Sequence, residues 1–328
     1  MDRPDHTEPS PPAGPDSPAP PPYGYPPVET PTYPPPGYPS APPPSGPPSA
    51  PPPPGFPLPP ARTRSHPFLD IPGAPPADRG AAGVWILFGL IGFVAGQVVA
   101  LILTDIAAHL AGQGGQLSKI ADMAEPPEWY VGVSLAGLWA GFLLGPWLAS
   151  KARGTGRFLA DLGVRFRPID LLGLVIGPAG QVVVAIIYAP FINHLKNFTA
   201  PTQKLTGGSH GGGFVVIAIM TVVLAPFFEE LFFRGLLFKA LARLFTPAAI
   251  GPSTRRTIGV AVAVVADGLL FGAAHAELAQ LAGLAVFGMI LAVISYRTGR
   301  LGMNMIAHAS FNLVAVLVVV GNRGTIWH

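Results

Sequence analysis

The stretch Pro226-Phe-Phe-Glu229-Glu230-Leu-Phe-Phe-Arg234-Gly-Leu-Leu places two adjacent carboxylates and one arginine inside a long apolar run. The run covers residues 213–238 and predicts one continuous helix. An ionisable group at membrane depth is destabilising by several kcal/mol unless it faces a cavity or a partner. Three such groups within six residues therefore indicate a functional site.

The composition indicates a membrane protein. Of the 328 residues, 49% are hydrophobic and 11% are charged, whereas about 25% are charged in soluble domains. The formal charge is +3, and the basic residues lie mostly in short connections between apolar runs. This pattern is typical of a membrane protein and excludes a nucleic-acid partner. The sequence has no cysteine, which excludes disulfides, thiolate metal sites and cysteine nucleophiles.

Residues 1–80 differ from the rest because they contain 32 of the 42 prolines. They have too few large apolar side chains to form a core, and proline is disfavoured in helix interiors. We therefore predict a disordered cytoplasmic tail with polyproline II character. The same composition suits a docking site for a proline-recognising partner. The rest, residues 81–328, is predicted to be a transmembrane domain with its motif core at residues 213–320.

Seven apolar segments follow the tail, at residues 83–104, 129–150, 171–192, 213–238, 258–275, 279–296 and 301–320. Most of them are long enough to cross a hydrocarbon core about 30 Å thick. They predict an all-α fold, a polytopic transmembrane helix bundle of about seven helices in the lipid bilayer. An eighth helix is expected if residues 154–168 or 194–210 enter the membrane. Frequent Gly and Ala indicate close helix packing.

The connections between these segments differ in charge, which predicts the orientation. Every second connection is basic, and these connections carry Lys151, Arg153, Arg157, Arg165, Arg167, Lys239, Arg243, Arg255, Arg256, Arg297 and Arg300. Because basic connections stay in the cytoplasm, we predict a cytoplasmic N-terminus and an external C-terminus. A composition rich in Ala, Gly and Pro and poor in Lys is typical of a high-GC bacterium, which predicts a bacterial plasma membrane.

The three charged residues of the fourth segment are predicted to form one ion pair, which leaves one glutamate unpaired. Glu230 and Arg234 are four residues apart, share a helix face and are predicted to form an ion pair. Glu229 points about 100° away and has no local partner. One of the two adjacent carboxylates is a candidate general base or acid. Pro226 removes a helix hydrogen bond and frees a carbonyl group. The alternative is an ion-paired structural cluster without catalysis.

Three more polar groups lie in the fifth and seventh segments. His275 ends the fifth segment, and His308 and Asn312 share one face of the seventh with Asn304. An imidazole can bind a divalent metal or transfer a proton, and an amide can donate to an oxyanion. A single buried histidine is more often a structural hydrogen-bonding residue. Asp267 is a further buried acid, which we expect to be a packing partner of the site.

Together, the motifs Glu229-Glu230-x-x-x-Arg234, Phe271-x-x-x-His275 and His308-x-x-x-Asn312 resemble the signatures of the CAAX prenyl protease and bacteriocin-processing family of intramembrane proteases. The stretch Tyr296-Arg-Thr-Gly-Arg-Leu is also similar to that family. The resemblance implies helices around a water-filled cavity open toward the cytosol. It implies Glu229 as the main catalytic carboxylate, assisted by Glu230, with His275, His308 and Asn312 completing the site. Arg234 would hold Glu230, and Phe271 would support the histidines.

The chemistry expected of these residues is peptide hydrolysis by an activated water. Glu229 would take the proton of the water, and Asn312 with a histidine would bind the oxyanion. If a divalent metal is bound, we expect zinc, with His275, His308 and Glu229 as its ligands. The expected substrate is a peptide or a membrane protein. Two other functions stay open, a proton-coupled transporter and a non-catalytic membrane adaptor that recruits partners through the proline-rich tail.

Overall fold

The described part of the chain is entirely helical. A computed structural model describes residues 79–191, 211–246 and 254–326, and these contain no strand. The helices are α1 (Arg79–Leu110), α2 (Leu117–Ala121), α3 (Glu128–Arg153), α4 (Phe158–Leu162), α5 (Gly173–Tyr188), α6 (Gly211–Phe245), α7 (Thr254–Ala274), α8 (Leu278–Thr298) and α9 (Gly302–Ile326). The predicted all-α fold is confirmed. The predicted tail and its proline-recognising partner concern residues that lie almost wholly outside the described ones.

Seven of the described helices are long and apolar enough to cross a membrane. The spans are Gly80–Leu110, Glu128–Arg153, Pro168–Tyr188, Gly211–Phe245, Arg256–Ala274, Leu278–Thr298 and Gly302–Gly321. They match the seven predicted segments, and the protein is an integral membrane protein. The predicted eighth helix is absent from residues 154–168, where α4 has five residues and is too short to cross. The other candidate, residues 194–210, lies outside the described residues.

Small residues bring the helices into close contact, as their frequency predicts. A methyl group at Gly141 of α3 would overlap the carbonyl oxygen of Gly92 in α1. In the same way, a methyl group at Gly177 of α5 would overlap the hydroxyl of Ser310 in α9. Helix association in lipid depends on such close packing, because burial of apolar surface provides little driving force there.

Helix α6 passes through the centre of the bundle. Its residues Leu231–Phe238 are all buried, and the Phe232 ring stacks on Phe142 of α3 at a centroid distance of 4.3 Å. Two stretches of α6, Met220–Leu224 and Leu231–Phe238, have the wider π-helical turn. Such turns are frequent at functional sites. Glu229 and Glu230 lie between the two stretches.

A buried ion pair fixes the start of α9, the helix that carries His308. Arg300 donates to the Asp170 carboxylate through Nη2 at 2.7 Å and Nε at 3.0 Å. Asp170 has no exposed surface, and its second oxygen accepts the backbone N–H of Arg167 at 2.8 Å. The backbone N–H of Leu301 donates to the carbonyl of Gly163 at 2.9 Å. The connection before α5 and the turn before α9 are thus held together.

We expect Asp170→Asn to destabilise the protein by about 3 kcal/mol, because it leaves a buried arginine without a counter-charge. The measurement is the midpoint of thermal unfolding of the full chain in detergent, followed by tryptophan fluorescence. Arg157→Gln is the control, since Arg157 is an exposed arginine in the same region. Equal midpoints for the Asp170 variant and the wild type would contradict a role of this pair in fixing α9.

Candidate active site

Glu230 is fully buried and is held by side chains from two helices. Its Oε1 accepts from Nη1 of Arg234 at 2.9 Å, and its Oε2 accepts from Nδ2 of Asn304 at 3.2 Å. The Nδ1 atom of His308 lies 3.0 Å from Oε1. Both carboxylate oxygens are therefore occupied by groups of the protein. The ion pair predicted from the spacing of Glu230 and Arg234 is present.

Arg234 connects three helices around this carboxylate. Its side chain has no exposed surface, and its Nε lies 3.4 Å from Oδ2 of Asp267 in α7. Its Nη2 donates to the carbonyl of Gly288 in α8 at 3.1 Å, and its guanidinium lies 4.3 Å from the centre of the Phe271 ring. Asp267 is a packing partner of the site, as predicted, and its contact is with the arginine.

Glu229 has a different environment, although it is adjacent to Glu230. Its side chain is 15% exposed, and its Oε2 lies 3.7 Å from Nε2 of His308 and 4.0 Å from Nε2 of His275. This oxygen is buried and accepts no hydrogen bond within the described part of the chain. The structure thus brings Glu229 and both predicted histidines together, with the carboxylate between two imidazole edges.

The far nitrogen of each imidazole is fixed by an acceptor. Nδ1 of His275 lies 2.8 Å from the carbonyl oxygen of Phe271, which can only accept, so Nδ1 carries the proton. Nδ1 of His308 faces the Glu230 carboxylate in the same way. In the neutral imidazole the lone pair is therefore on Nε2, the atom nearest Glu229 in both cases. His275 follows the last residue of its span, and burial lowers the pKa of its imidazole, which favours this neutral form.

Phe271 supports both imidazoles by direct ring contact. Its ring is fully buried and meets the rings of His275 and His308 edge to face, at centroid distances of 4.9 and 5.5 Å. Phe287 contacts His308 from α8 at 5.8 Å. Aromatic rings in this arrangement fix the plane of an imidazole without adding a competing hydrogen-bonding group.

Asn312 donates its amide to the backbone of α6. In the first π-helical stretch, the N–H of Ala225 bonds to the carbonyl of Met220, five residues before it. The next bond of this pattern would join residue 226 to the carbonyl of Thr221, but Pro226 has no N–H. The freed carbonyl of Thr221 accepts from Nδ2 of Asn312 at 2.9 Å. Pro226 does free a carbonyl, as predicted, and Asn312 is the group that binds it.

A cavity of about 570 Å³ extends from these residues. Its wall includes Glu229, His275, His308 and Asn312, the four predicted site residues that face it, while Glu230 lies behind them. The remaining wall is mostly apolar, with a few polar side chains such as Tyr130 and Gln181. A mostly apolar cavity with a few convergent polar groups is typical of a ligand site.

The described residues contain no group of three or more His, Asp or Glu side chains that could hold a metal ion. Glu229, His275 and His308 are the right donor types for zinc, and Oε2 of Glu229 has no other partner. Oε2 of Glu229 lies 3.7 Å from Nε2 of His308 and 4.0 Å from Nε2 of His275, and in this arrangement the three donors do not form a metal site.

Asn304 is a site residue whose role the sequence did not predict. The two N–H groups of its amide are shared by three acceptors, which are Oε2 of Glu230 at 3.2 Å, the carbonyl of Leu291 at 2.7 Å and the hydroxyl of Ser295 at 2.9 Å. The available signal was its position one turn before His308 on the same stripe. The sequence does not show that this stripe faces Glu230 and α8.

Comparison with known families gives one match. Residues 211–314 match the family model described as type II CAAX prenyl endopeptidase Rce1-like, which is about a third of the chain. The match includes every predicted site residue and is consistent with the resemblance seen in the motifs. At the level of the family, it supports a membrane peptidase. Neither the curated proteins nor the solved structures contain a matching chain.

We expect a double-mutant cycle to show that Arg234 and Asp267 stabilise the protein as a pair. Arg234→Gln leaves two buried carboxylates without a counter-charge, so it should lower stability by about 3–5 kcal/mol. Adding Asp267→Asn removes one of these carboxylates and should recover part of the loss. The readout is the midpoint of thermal unfolding in detergent. Strictly additive effects of the two substitutions would contradict the pairing.

We expect Asn312→Ala to destabilise the protein by about 1 kcal/mol, because the partly buried carbonyl of Thr221 loses its donor. Pro226→Ala in the same chain restores an N–H at position 226 and should recover stability. Comparing cleavage by the two variants separates two roles of Asn312. If the double variant regains stability and activity, the amide only holds α6, and if it regains stability alone, the amide also acts in the reaction.

Proposed function

We propose that the protein is an intramembrane endopeptidase that hydrolyses a peptide bond with a water molecule activated by Glu229. The observation that carries the proposal is the unequal environment of the two adjacent carboxylates. Glu230 has both oxygens occupied by fixed partners. Glu229 lines the cavity and has a buried oxygen with no hydrogen bond among the described residues. A general base needs such an available oxygen next to space for water and substrate.

In the proposed reaction, a water molecule in the cavity donates one proton to Glu229 while its oxygen attacks the carbonyl carbon of the substrate. The tetrahedral intermediate then expels the amine, which takes up the proton as the carbon–nitrogen bond breaks. The other hydrogen of the water is accepted by one unprotonated Nε2, that of His308 or that of His275, which orients the water. The second N–H of the Asn312 amide is the proposed donor to the oxyanion.

Glu230 and Arg234 act through His308 in this proposal. The carboxylate of Glu230 fixes the imidazole tautomer through Nδ1 and stabilises the imidazolium if Nε2 takes a proton. Arg234 holds Glu230 in place through their ion pair. This arrangement assigns a positioning role to Glu230 and leaves proton transfer from water to Glu229.

A metal-dependent version of the reaction uses the same donors. When bound, a zinc ion would polarise the water and the substrate carbonyl, with Glu229, His275 and His308 as its ligands. The reaction through Glu229 needs no metal, and the described donors do not form a metal site. The two versions differ in one result, since only the metal-dependent one predicts loss of cleavage with a chelator and recovery with zinc.

We expect Glu229→Gln to lower the cleavage rate by about 10²–10⁴-fold, as for loss of a general base. Membranes that contain either form of the full chain would be compared by mass spectrometry for new peptide termini. A synthetic peptide spanning the strongest cleavage site then serves as the substrate of the purified protein. Asp105→Asn is the matched control, since Asp105 is an exposed carboxylate that does not line the cavity.

Cleavage that persists in Glu229→Gln would overturn the proposal. Thermal unfolding of this variant checks that the fold is intact. Because Glu229 has few fixed partners, we expect its midpoint to stay close to that of the wild type. An intact fold together with lost cleavage separates a catalytic role from a structural one.

A further inference from the structure

The directions of the spans define two faces of the bundle, and the cavity can be assigned to one of them. Consecutive spans run in opposite directions, so their ends fall on two faces. We call basic face the one where α3, α6 and α8 end and where α5, α7 and α9 begin. We call opposite face the one where α1, α5 and α7 end and where α3, α6 and α8 begin. The bounds of the seven spans define both faces.

The cavity lies on the side of the opposite face. At the start of α3, its wall includes Pro126, Tyr130 and Ser134. Around the connection between α7 and α8, the wall includes Ala274, His275, Glu277 and Gln280. Tyr188 at the end of α5 and Val319 near the end of α9 complete this list. Each of these positions is at or near the opposite face. None of the described residues in the connections of the basic face lines the cavity.

Packed side chains separate the site from the basic face. Below Glu229, the residues of α6 from Leu231 to Phe238 are buried without exception. At the next residue, Nζ of Lys239 donates to the carbonyl of Asp161 at 2.6 Å. The pair Asp170–Arg300 then holds the connection before α5 against the start of α9. Within the described residues, this side of the bundle is filled.

The two faces also differ in charge. The basic face and the helix ends beside it contain eleven Lys or Arg residues between α3 and α9, which are those named above for the orientation. The connections of the opposite face contain Lys119, Lys196 and Lys204. Lys and Arg accumulate in cytoplasmic connections, and this asymmetry determines the orientation of most membrane proteins.

We infer that the cavity opens to the extracytoplasmic side, and that its substrate is a peptide segment exposed on that side of the membrane. The inference concerns the substrate of the proposed endopeptidase and so rests on that function. It departs from the family resemblance, which implies a cavity open toward the cytosol. A cavity open toward the cytosol and a cytoplasmic N-terminus cannot both hold in this structure, because the basic connections and the cavity lie at opposite ends of the bundle.

The charges at the edge of the cavity indicate which residues should flank the cleaved segment of the substrate. Glu277 lines the cavity, and Asp122 and Glu125, both exposed, are each adjacent to a residue that lines it. The wall itself is mostly apolar. We therefore expect the cleaved segment to be apolar, with a basic flank outside the membrane, because opposite charges at an entrance favour encounter and correct register.

The test uses single cysteines in the full chain, which has no cysteine of its own. Ala124→Cys lies in the opposite face, Ala152→Cys lies at the basic face, and both residues are exposed. Ser134→Cys lies in the cavity wall, and Ala315→Cys is a second cavity position for the case that Ser134→Cys does not fold. Each variant is treated with a membrane-impermeant maleimide in intact cells and again after permeabilisation.

We expect Ala124→Cys and the cavity cysteine to be labelled in intact cells, and Ala152→Cys only after permeabilisation. Labelling of Ala152→Cys in intact cells, with protection of Ala124→Cys, would overturn the orientation. Labelling of Ala124→Cys while both cavity cysteines stay protected in intact cells would overturn the opening.

A second arm separates this inference from the proposed function. Labelling does not require activity, so it should be the same in chains that also carry Glu229→Gln. If labelling follows the expected pattern but Glu229→Gln still cleaves, the proposed function fails and the orientation stands. If Glu229→Gln is inactive but maleimide on the cavity cysteine of intact cells leaves cleavage unchanged, the inferred route of the substrate fails alone.

Discussion

The buried positive charge of Arg234 is the constraint on which the rest of the structure depends. A guanidinium without exposed surface must be paired, because an isolated charge in an apolar interior is strongly destabilising. Glu230 of the same helix and Asp267 of α7 provide two carboxylates, and the carbonyl of Gly288 brings in α8. Through Glu230, the same cluster reaches Asn304 and His308 of α9. One charge thus sets the relative positions of four helices.

This arrangement explains why two adjacent glutamates have different roles in the proposed mechanism. Neighbours on a helix point about 100° apart, so one can face the arginine while the other faces the cavity. Glu230 uses its charge to fix the bundle and the tautomer of His308. Glu229 lies on the side where the wall opens, between two imidazole nitrogens that bear lone pairs. A catalytic group that must be placed precisely commonly needs a fixed residue packed behind it, and Glu230 has this position behind Glu229.

Much of the architecture could be predicted from local patterns. Apolar length gave seven spans, and a four-residue spacing gave the Glu230–Arg234 pair, because both depend on neighbours along one helix. Contacts between helices could not be predicted in this way. The role of Asn304 depends on which face of α9 meets α6 and α8. The bond from Asn312 to Thr221 depends on a π-helical turn, which no apolar periodicity reveals. The side of the cavity required the direction of every span together with the depth of the α7–α8 connection.

The bond between Asn312 and Thr221 has a consequence for biosynthesis. Helix α6 enters the membrane with a carbonyl that it cannot satisfy itself, since Pro226 lacks the N–H. The missing donor, Asn312, is on α9, and the ribosome adds it 91 residues after Thr221. His308 arrives on the same helix. Before α9 docks, Glu230 has Arg234 of its own helix but lacks the side chains of Asn304 and His308, so the site is complete only when the last span docks.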